Sequence, residues 1–143
     1  MPIIEWDTRL EIGISSFDEH HKHLVSILNS TYDALICEAP ADIVGDFLAE
    51  LFDYAGYHFV AEESWMKAVG FPRVQEHVEE HNRFTQRLVE LAREYRVRES
   101  SISLEVLTFL KEWLIGHILI SDADYGRFAT DAGTTSGDRQ GQG

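Results

Sequence analysis

The stretch His58-Phe59-Val60-Ala61-Glu62-Glu63-Ser64-Trp65-Met66 is followed, after Gly70-Phe71-Pro72, by Val74-Gln75-Glu76-His77-Val78-Glu79-Glu80-His81. Each half holds two ligand-type residues four apart, His58 with Glu62 and His77 with His81. Four residues of α-helix make one full turn plus about 40°, so the members of each pair share one helical face. Carried outward, the same period yields two inward stripes. One reads Val44, Phe47, Leu51, Ala55, His58, Glu62 and Met66; the other reads Val74, His77, His81, Phe84, Leu88, Leu91 and Tyr95. Gly70 followed by Pro72 is a stop signal between two helices.

Two further helices flank this pair. The first is expected to start at Ser16, with Glu19 three residues later in a capping-box arrangement. Its stripe is His21, Leu24, Val25, Leu28, Tyr32 and Leu35. Ala39-Pro40-Ala41 breaks the chain, and Pro40 suits the first turn of the next helix. Ser100-Ser101-Ile102-Ser103 supplies a turn and a cap, leading into a fourth stripe of Leu107, Leu110, Leu114, His117 and Ser121. Strand alternation is nearly absent, and no fixed-period repeat is present. Four helices of roughly 20 residues, each about 30 Å long, joined by short turns, predict an all-α, up-down-up-down four-helix bundle. Residues 1–15 are expected to form an extended arm with Trp6 as its anchor. Bundle and arm together span residues 1–129, and the polar, Gly-rich residues 130–143 are expected to be a disordered tail.

Composition narrows the partners. At 143 residues, 44% hydrophobic and 26% charged, the chain suits one domain with a single core. A formal net charge of -13 disfavours nucleic acid and anionic membrane, both of which require clustered cations. No run of ~18 apolar residues is available to span a bilayer. The start, Met1 to Asp7, lacks the basic segment and apolar run of a secretion signal, so a cytoplasmic location is expected. The lone Cys37 excludes an intrachain disulfide and reads as a small residue near a helix end.

The chemistry lies in the histidines. Of 7, five fall on the stripes: His21, His58, His77, His81 and His117. Burying them unsatisfied would cost on the order of 1–3 kcal/mol for each orphaned polar atom. A metal relieves much of that cost by taking one lone pair from each ring. Glu62 is in line with its stripe and reads as a ligand. Glu63 points about 100° away and reads as a solvated charge. Asp122 is five residues beyond His117, about 140° away on an ideal helix. Either the helix unwinds there, or a π-bulge absorbs one residue.

A wider pattern comprises Phe17-Asp18-Glu19-His20-His21-Lys22-His23-Leu24, the segment His58 to Glu63, and His77-x-x-x-His81. It continues through Trp113-Leu114-Ile115-Gly116-His117-Ile118 to Asp122 and Tyr125. The whole resembles the hemerythrin family, in particular its single-domain bacterial members, over residues 6 to about 128. The resemblance implies two iron ions joined by an oxo or hydroxo bridge. His77, His81 and His117 would bind one iron and His21 and His58 the other, with Glu62 and Asp122 bridging both. One iron would then have six ligands and its neighbour five, leaving a single position for dioxygen. Phe59, Trp113, Leu114 and Ile118 match the family's apolar pocket, whose walls exclude water and proton donors; they equally suit a packed core. Tyr125 is a candidate for a group beside the ligands. One departure stands out: the position before the first ligand is commonly Gln in the family and is His20 here. His20 and His23 are both expected to be exposed.

The expected function is therefore reversible dioxygen binding for carriage, storage or delivery, without catalysis, by a monomer that could supply an oxygen-consuming enzyme. An oxygen, nitric-oxide or redox sensor is the alternative within the family reading. Outside it stand an iron-binding or di-iron oxidase protein and a zinc module. Ferritin-like oxidases draw on Glu-x-x-His pairs, which are absent from these stripes, whereas zinc outcompetes ferrous iron in bare affinity.

Overall fold

A computed structural model of the chain describes residues 3–98 and 103–131. The elements are α1 (Ser15–Ile36), α2 (Ala41–Val69), α3 (Val74–Arg98), α4 (Ser103–Gly116) and α5 (Ala123–Asp131), with a six-residue π-helical segment, His117–Asp122, between the last two. Gly116 and Ala123 both keep right-handed helical angles, so α4, the π segment and α5 run as one rod. Each helix packs on its neighbour in the chain and the fourth closes against the first. The result is the expected four-helix bundle.

Local sequence accounts for the ends. Gly70 takes a left-handed conformation (φ 76°) and closes α2 with two bonds, Gly70 N–H to the Lys67 carbonyl and Phe71 N–H to that of Met66. This is the Schellman pattern, and its apolar contact is present because Met66 and Phe71 are buried in one cluster. The start of α1 differs from expectation. The helix begins at Ser15, and its cap residue, Ile14, makes no side-chain capping bond. Asp18 reaches back instead, accepting from Ile12 N–H at 2.8 Å and Gly13 N–H at 3.3 Å. The Ser16–Glu19 box does not form, because burial of Ile14 and Phe17 fixes the entry angle of the chain and brings Asp18 to the free amides.

The core comprises two clusters. The larger fills the bundle with Leu24, Leu28, Leu51, Leu88 and Leu110 among others. The smaller, with Ile14, Phe17, Trp65, Met66 and Tyr125, closes the end nearest the N-terminal arm. The expected stripes are mostly buried, with Tyr32, Leu35, Phe47 and Val74 only half-covered at their edges. The side chains of Tyr95 and Leu107 lie outside the described residues. The arm is not wholly extended, since Thr8–Leu10 make one 3₁₀ turn. Trp6 packs on the core but is half-buried, while Ile4 and Leu10 are the fully buried anchors. Asn29 pins Ile4 by both its backbone N–H and carbonyl, each at 3.0 Å. Helix α5 runs through Thr130 and Asp131, two residues into the expected tail; residues 132–143 lie outside the described set, as does most of the Ser100–Ser103 turn. Cys37 is exposed at the end of α1. No described helix is long and apolar enough to cross a membrane.

Candidate metal centre

Each of the four rods turns part of its inward stripe from apolar to polar at one level of the bundle. Helix α1 contributes His21, α2 contributes His58 and Glu62, α3 contributes His77 and His81, and the π segment contributes His117 and Asp122. All seven are buried. The four-residue spacings on α2 and α3 bring each pair inward, as read from sequence. For His117 and Asp122 the π segment does the same work: with bonding widened to i→i+5, five residues complete close to one turn, and both side chains face the interior. Of the two alternatives, the extra residue is absorbed and the helix does not unwind.

The donor atoms converge in two overlapping groups. One holds Glu62, His77, His81, His117 and Asp122; the other holds His21, His58, Glu62 and Asp122. Within each group the candidate atoms lie within 4.8 Å of one another. The carboxylates are common to both. Glu62 Oε2 is 3.0 Å from His58 Nε2, while its Oε1 is 3.1 Å from His81 Nε2. Asp122 Oδ2 is 2.9 Å from His21 Nε2, while its Oδ1 is 2.8 Å from His77 Nε2 and 3.0 Å from His117 Nε2.

Protein contacts alone do not satisfy this cluster. Despite these short contacts, both ring nitrogens of His21, Nε2 of His58, Oε1 of Glu62 and Oδ2 of Asp122 are buried without a well-directed hydrogen bond. The Nε2 atoms of His81 and His117 face each other at 3.2 Å. On the far side of each ring, Nδ1 lies 2.8 Å from a carboxylate, Glu63 Oε2 for His81 and Glu80 Oε1 for His117. Carboxylates only accept, so both Nδ1 atoms carry protons, and two neutral rings would oppose bare lone pairs. A positive charge, either a proton or a metal ion, is required between them. Imidazole and carboxylate donors suit a divalent first-row metal, and the residues present fit one in each group.

The charges follow the same logic. Burial raises the pKa of Glu62, but the surrounding His58, His21 and His81 outweigh it and hold the carboxyl well below the usual range. Asp122 is likewise driven down, because His117 and His21 overcome burial and the neighbouring Glu62. Burial opposes charge on His21, yet Asp122 and Glu62 lift it to about 9. His117 is lifted against burial to about 10 by Asp122 and then Glu80. His58, for which burial dominates, is lowered. Tyr125 donates its hydroxyl to Glu62 Oε2 from a fully buried position, and burial pushes its own pKa well up. Tyr125 thus sits beside the carboxylate, as its candidacy required.

Two expectations change. Glu63 is not a solvated charge; it is half-buried and binds His81 Nδ1. His20 is half-buried, with Nδ1 2.8 Å from His58 Nδ1, whereas His23 is exposed. Glu80, which the stripes did not single out, binds His117 Nδ1 and accepts from Ser121 at 2.7 Å. The three partners obey one rule. Each flanks an inward residue by one position and reaches the histidine of the next helix round the ring: His20 to His58, Glu63 to His81, Glu80 to His117. A side chain about 100° off the inward stripe faces the neighbouring helix. A search for polar residues adjacent to inward ligands would have found them.

Phe59 stacks on His81 at 3.8 Å between centroids and Trp113 on His117 at 4.3 Å. Phe59, Trp113 and Leu114 join Leu24 and Leu28 in lining a small apolar cavity of about 10 Å³. Ile118 is fully buried but stands outside that lining.

The model of the hemerythrin HHE cation-binding domain matches residues 12–129. Among curated relatives, the bacteriohemerythrin of Stenotrophomonas maltophilia (strain R551-3) is 33% identical over 125 residues, covering 87% of this chain and 80% of that protein. The bacteriohemerythrin of Clostridium acetobutylicum is 30% identical over 124 residues, covering 84% and 96%. A crystal structure of wild-type hemerythrin superposes with a TM-score of 0.80 at 24% identity, covering 87% of this chain and 96% of that one, which supports the fold. With a family model spanning nearly all of the bundle and relatives matched over most of their length, the chain belongs to the hemerythrin family.

Proposed function

We propose that the chain binds dioxygen reversibly at a pair of iron ions, with His77, His81 and His117 as ligands of one, His21 and His58 as ligands of the other, and Glu62 and Asp122 shared. The observation that carries this reading is the inequality of the two donor groups: five donor residues in one and four in the other, with the same two carboxylates in both. A solvent-derived oxygen shared by both metals would bring the first to six donors and the second to five. When bound, the iron pair supplies the electrons and the open coordination position that a diatomic gas requires.

The protein's part is to hold, exclude and limit. Four helices fix the imidazoles, and outer partners fix the ring orientations. Hydrocarbon and aromatic walls at Phe59, Trp113 and Leu114 keep the approach poor in water and proton donors. Ile118, buried in the π segment, lies outside that lining but in the same core cluster as Phe59 and Leu114. Five imidazoles against two carboxylates make a donor set of low negative charge, which favours binding and release over oxidation of a substrate. Ferritin-like oxidases carry the opposite balance.

The test is anaerobic reduction of iron-loaded protein, with iron counted per chain, followed by oxygen titration read by absorbance. Two irons per chain and one dioxygen per pair, reversed by removing oxygen, are expected. Protein that takes up no iron pair, or that consumes oxygen continuously with a reductant and never reverses, would overturn the reading.

A further inference from the structure

We infer that His20 is a positioning residue of the metal centre, accepting the Nδ1–H of His58 and so holding that ring with its Nε2 aimed at the four-donor group. The inference rests on the metal reading above and adds a residue to it.

The hydrogen-bond chemistry leaves little freedom. Two imidazole nitrogens 2.8 Å apart, Nδ1 of His20 and Nδ1 of His58, share one proton. His58 Nε2 is 3.0 Å from Glu62 Oε2 and belongs to the four-donor group, so it is the nitrogen that would meet a metal there. With a metal on Nε2, the proton of His58 sits on Nδ1 and His20 accepts it. His20 in turn carries its own proton on Nε2. Its ring is held from turning by Tyr57, Phe17 and Tyr54, with centroids 5.3, 5.6 and 5.9 Å away.

The position also has counterparts. His20 occupies on α1 the place that Glu63 occupies on α2 and Glu80 on α3, one residue from an inward ligand and facing the histidine of the next helix. The partners differ in charge. His81 and His117 are backed by carboxylates, His58 by a neutral ring, and His21 Nδ1 has no hydrogen-bond partner. An anionic acceptor makes a metal-binding imidazole a stronger donor than a neutral one does. The metal of the four-donor group is accordingly the less tightly held, and its retention depends on His20.

The experiment compares the iron-loaded parent with H20L, which removes the acceptor, and H20Q, which keeps one as an amide oxygen. Under anaerobic conditions a ferrous chelator is added and metal release is followed by absorbance. Two phases are expected in the parent. H20L should accelerate the faster phase by about 10- to 100-fold and leave the slower one unchanged, with H20Q within about threefold of the parent. Nitrogen-15 spectra of the zinc-loaded parent should show His20 protonated at Nε2 and bare at Nδ1, a readout that stands even where H20L does not fold. The inference is overturned by unchanged release in H20L, by equal acceleration of both phases, or by a proton on His20 Nδ1. A parent that holds no metal pair removes the metal reading along with it; a parent holding two metals beside an unaffected H20L removes only the role of His20.

Discussion

Tyr125 is the side chain on which Glu62, the carboxylate common to both donor groups, most visibly depends. Its hydroxyl donates to Glu62 Oε2, which also faces His58 and His21. Replacing Tyr125 with Phe removes a donor from a fully buried charged acceptor, at a cost of about 1–3 kcal/mol. A thermal melt of metal-free Y125F should show the drop; an unchanged midpoint would mean that the hydroxyl contributes nothing to holding Glu62. Glu63 and Glu80 make a paired prediction. Substitution by Gln keeps a hydrogen-bond acceptor but removes the negative charge behind His81 or His117. Metal affinity should then fall by roughly 10- to 100-fold, as is usual for loss of an outer partner, in competition titrations against a chelator of known affinity. Of the residues at this scale, His58, Glu62, His77 and His81 were legible because a helical period of four is visible in the letters. Glu63, Glu80 and His20 were not, because their meaning lies in which helix stands beside which.

At the scale of elements, the N-terminal arm and α5 brace one another. A Cβ placed on Gly126 would come within 2.5 Å of the carbonyl oxygen of Ile12. Backbone cannot swing aside as a flexible side chain can, so G126A should destabilise the fold by about 1–3 kcal/mol through overpacking, measured as a shift in urea midpoint at constant slope. A neutral result would show that the arm is free to lift from α5. The salt bridge from Arg73 to both oxygens of Asp124, at 2.5 and 2.7 Å, ties the start of α3 to the same helix. The π segment is the element that adjusts rotation. It carries His117 inward and, five residues later, Asp122 as well, while Leu119 and Ile120 of the same segment face solvent. Its spacing was legible as an anomaly of five where the other rods show four. Whether that anomaly meant an unwound end or a bulge depended on α5 continuing to Asp131, which the packing of Tyr125 and Ala129 into the smaller cluster secures.

For the whole molecule, the converging charges make stability and metal uptake functions of pH. In protein stripped by a chelator, His21 and His117 have folded pKa values raised to about 9 and about 10, above the ordinary histidine value. Their stabilisation is fully present below about 6.5 and fades as pH rises through the raised values. Glu62 and Asp122 are depressed, so their contribution is present above the ordinary carboxylate range, about 4, and fades as pH falls below it. Burial lowers His58 and His20, so their contribution is lost as pH falls below about 6.5, and the metal-free midpoint should peak at about pH 6.5 and decline on both sides. Metal loading at neutral pH must displace the protons of His21 and His117, which a weakly buffered dye assay should register as proton release. Loading should also raise the melting midpoint by roughly 10 °C or more, since ligation satisfies atoms otherwise orphaned; an unshifted melt would count against a pre-built centre. What the amino-acid order determined by itself was the periodic content: four amphipathic rods, their stops, and a band of imidazole and carboxylate on the inward stripes, because helical period is a local property. Only the tertiary structure decided that Glu62 and Asp122 belong to both donor groups, that the groups are unequal, and that His20, Glu63 and Glu80 each serve the next helix round the ring. Those facts are distances between segments far apart in the chain, set by how the helices pack.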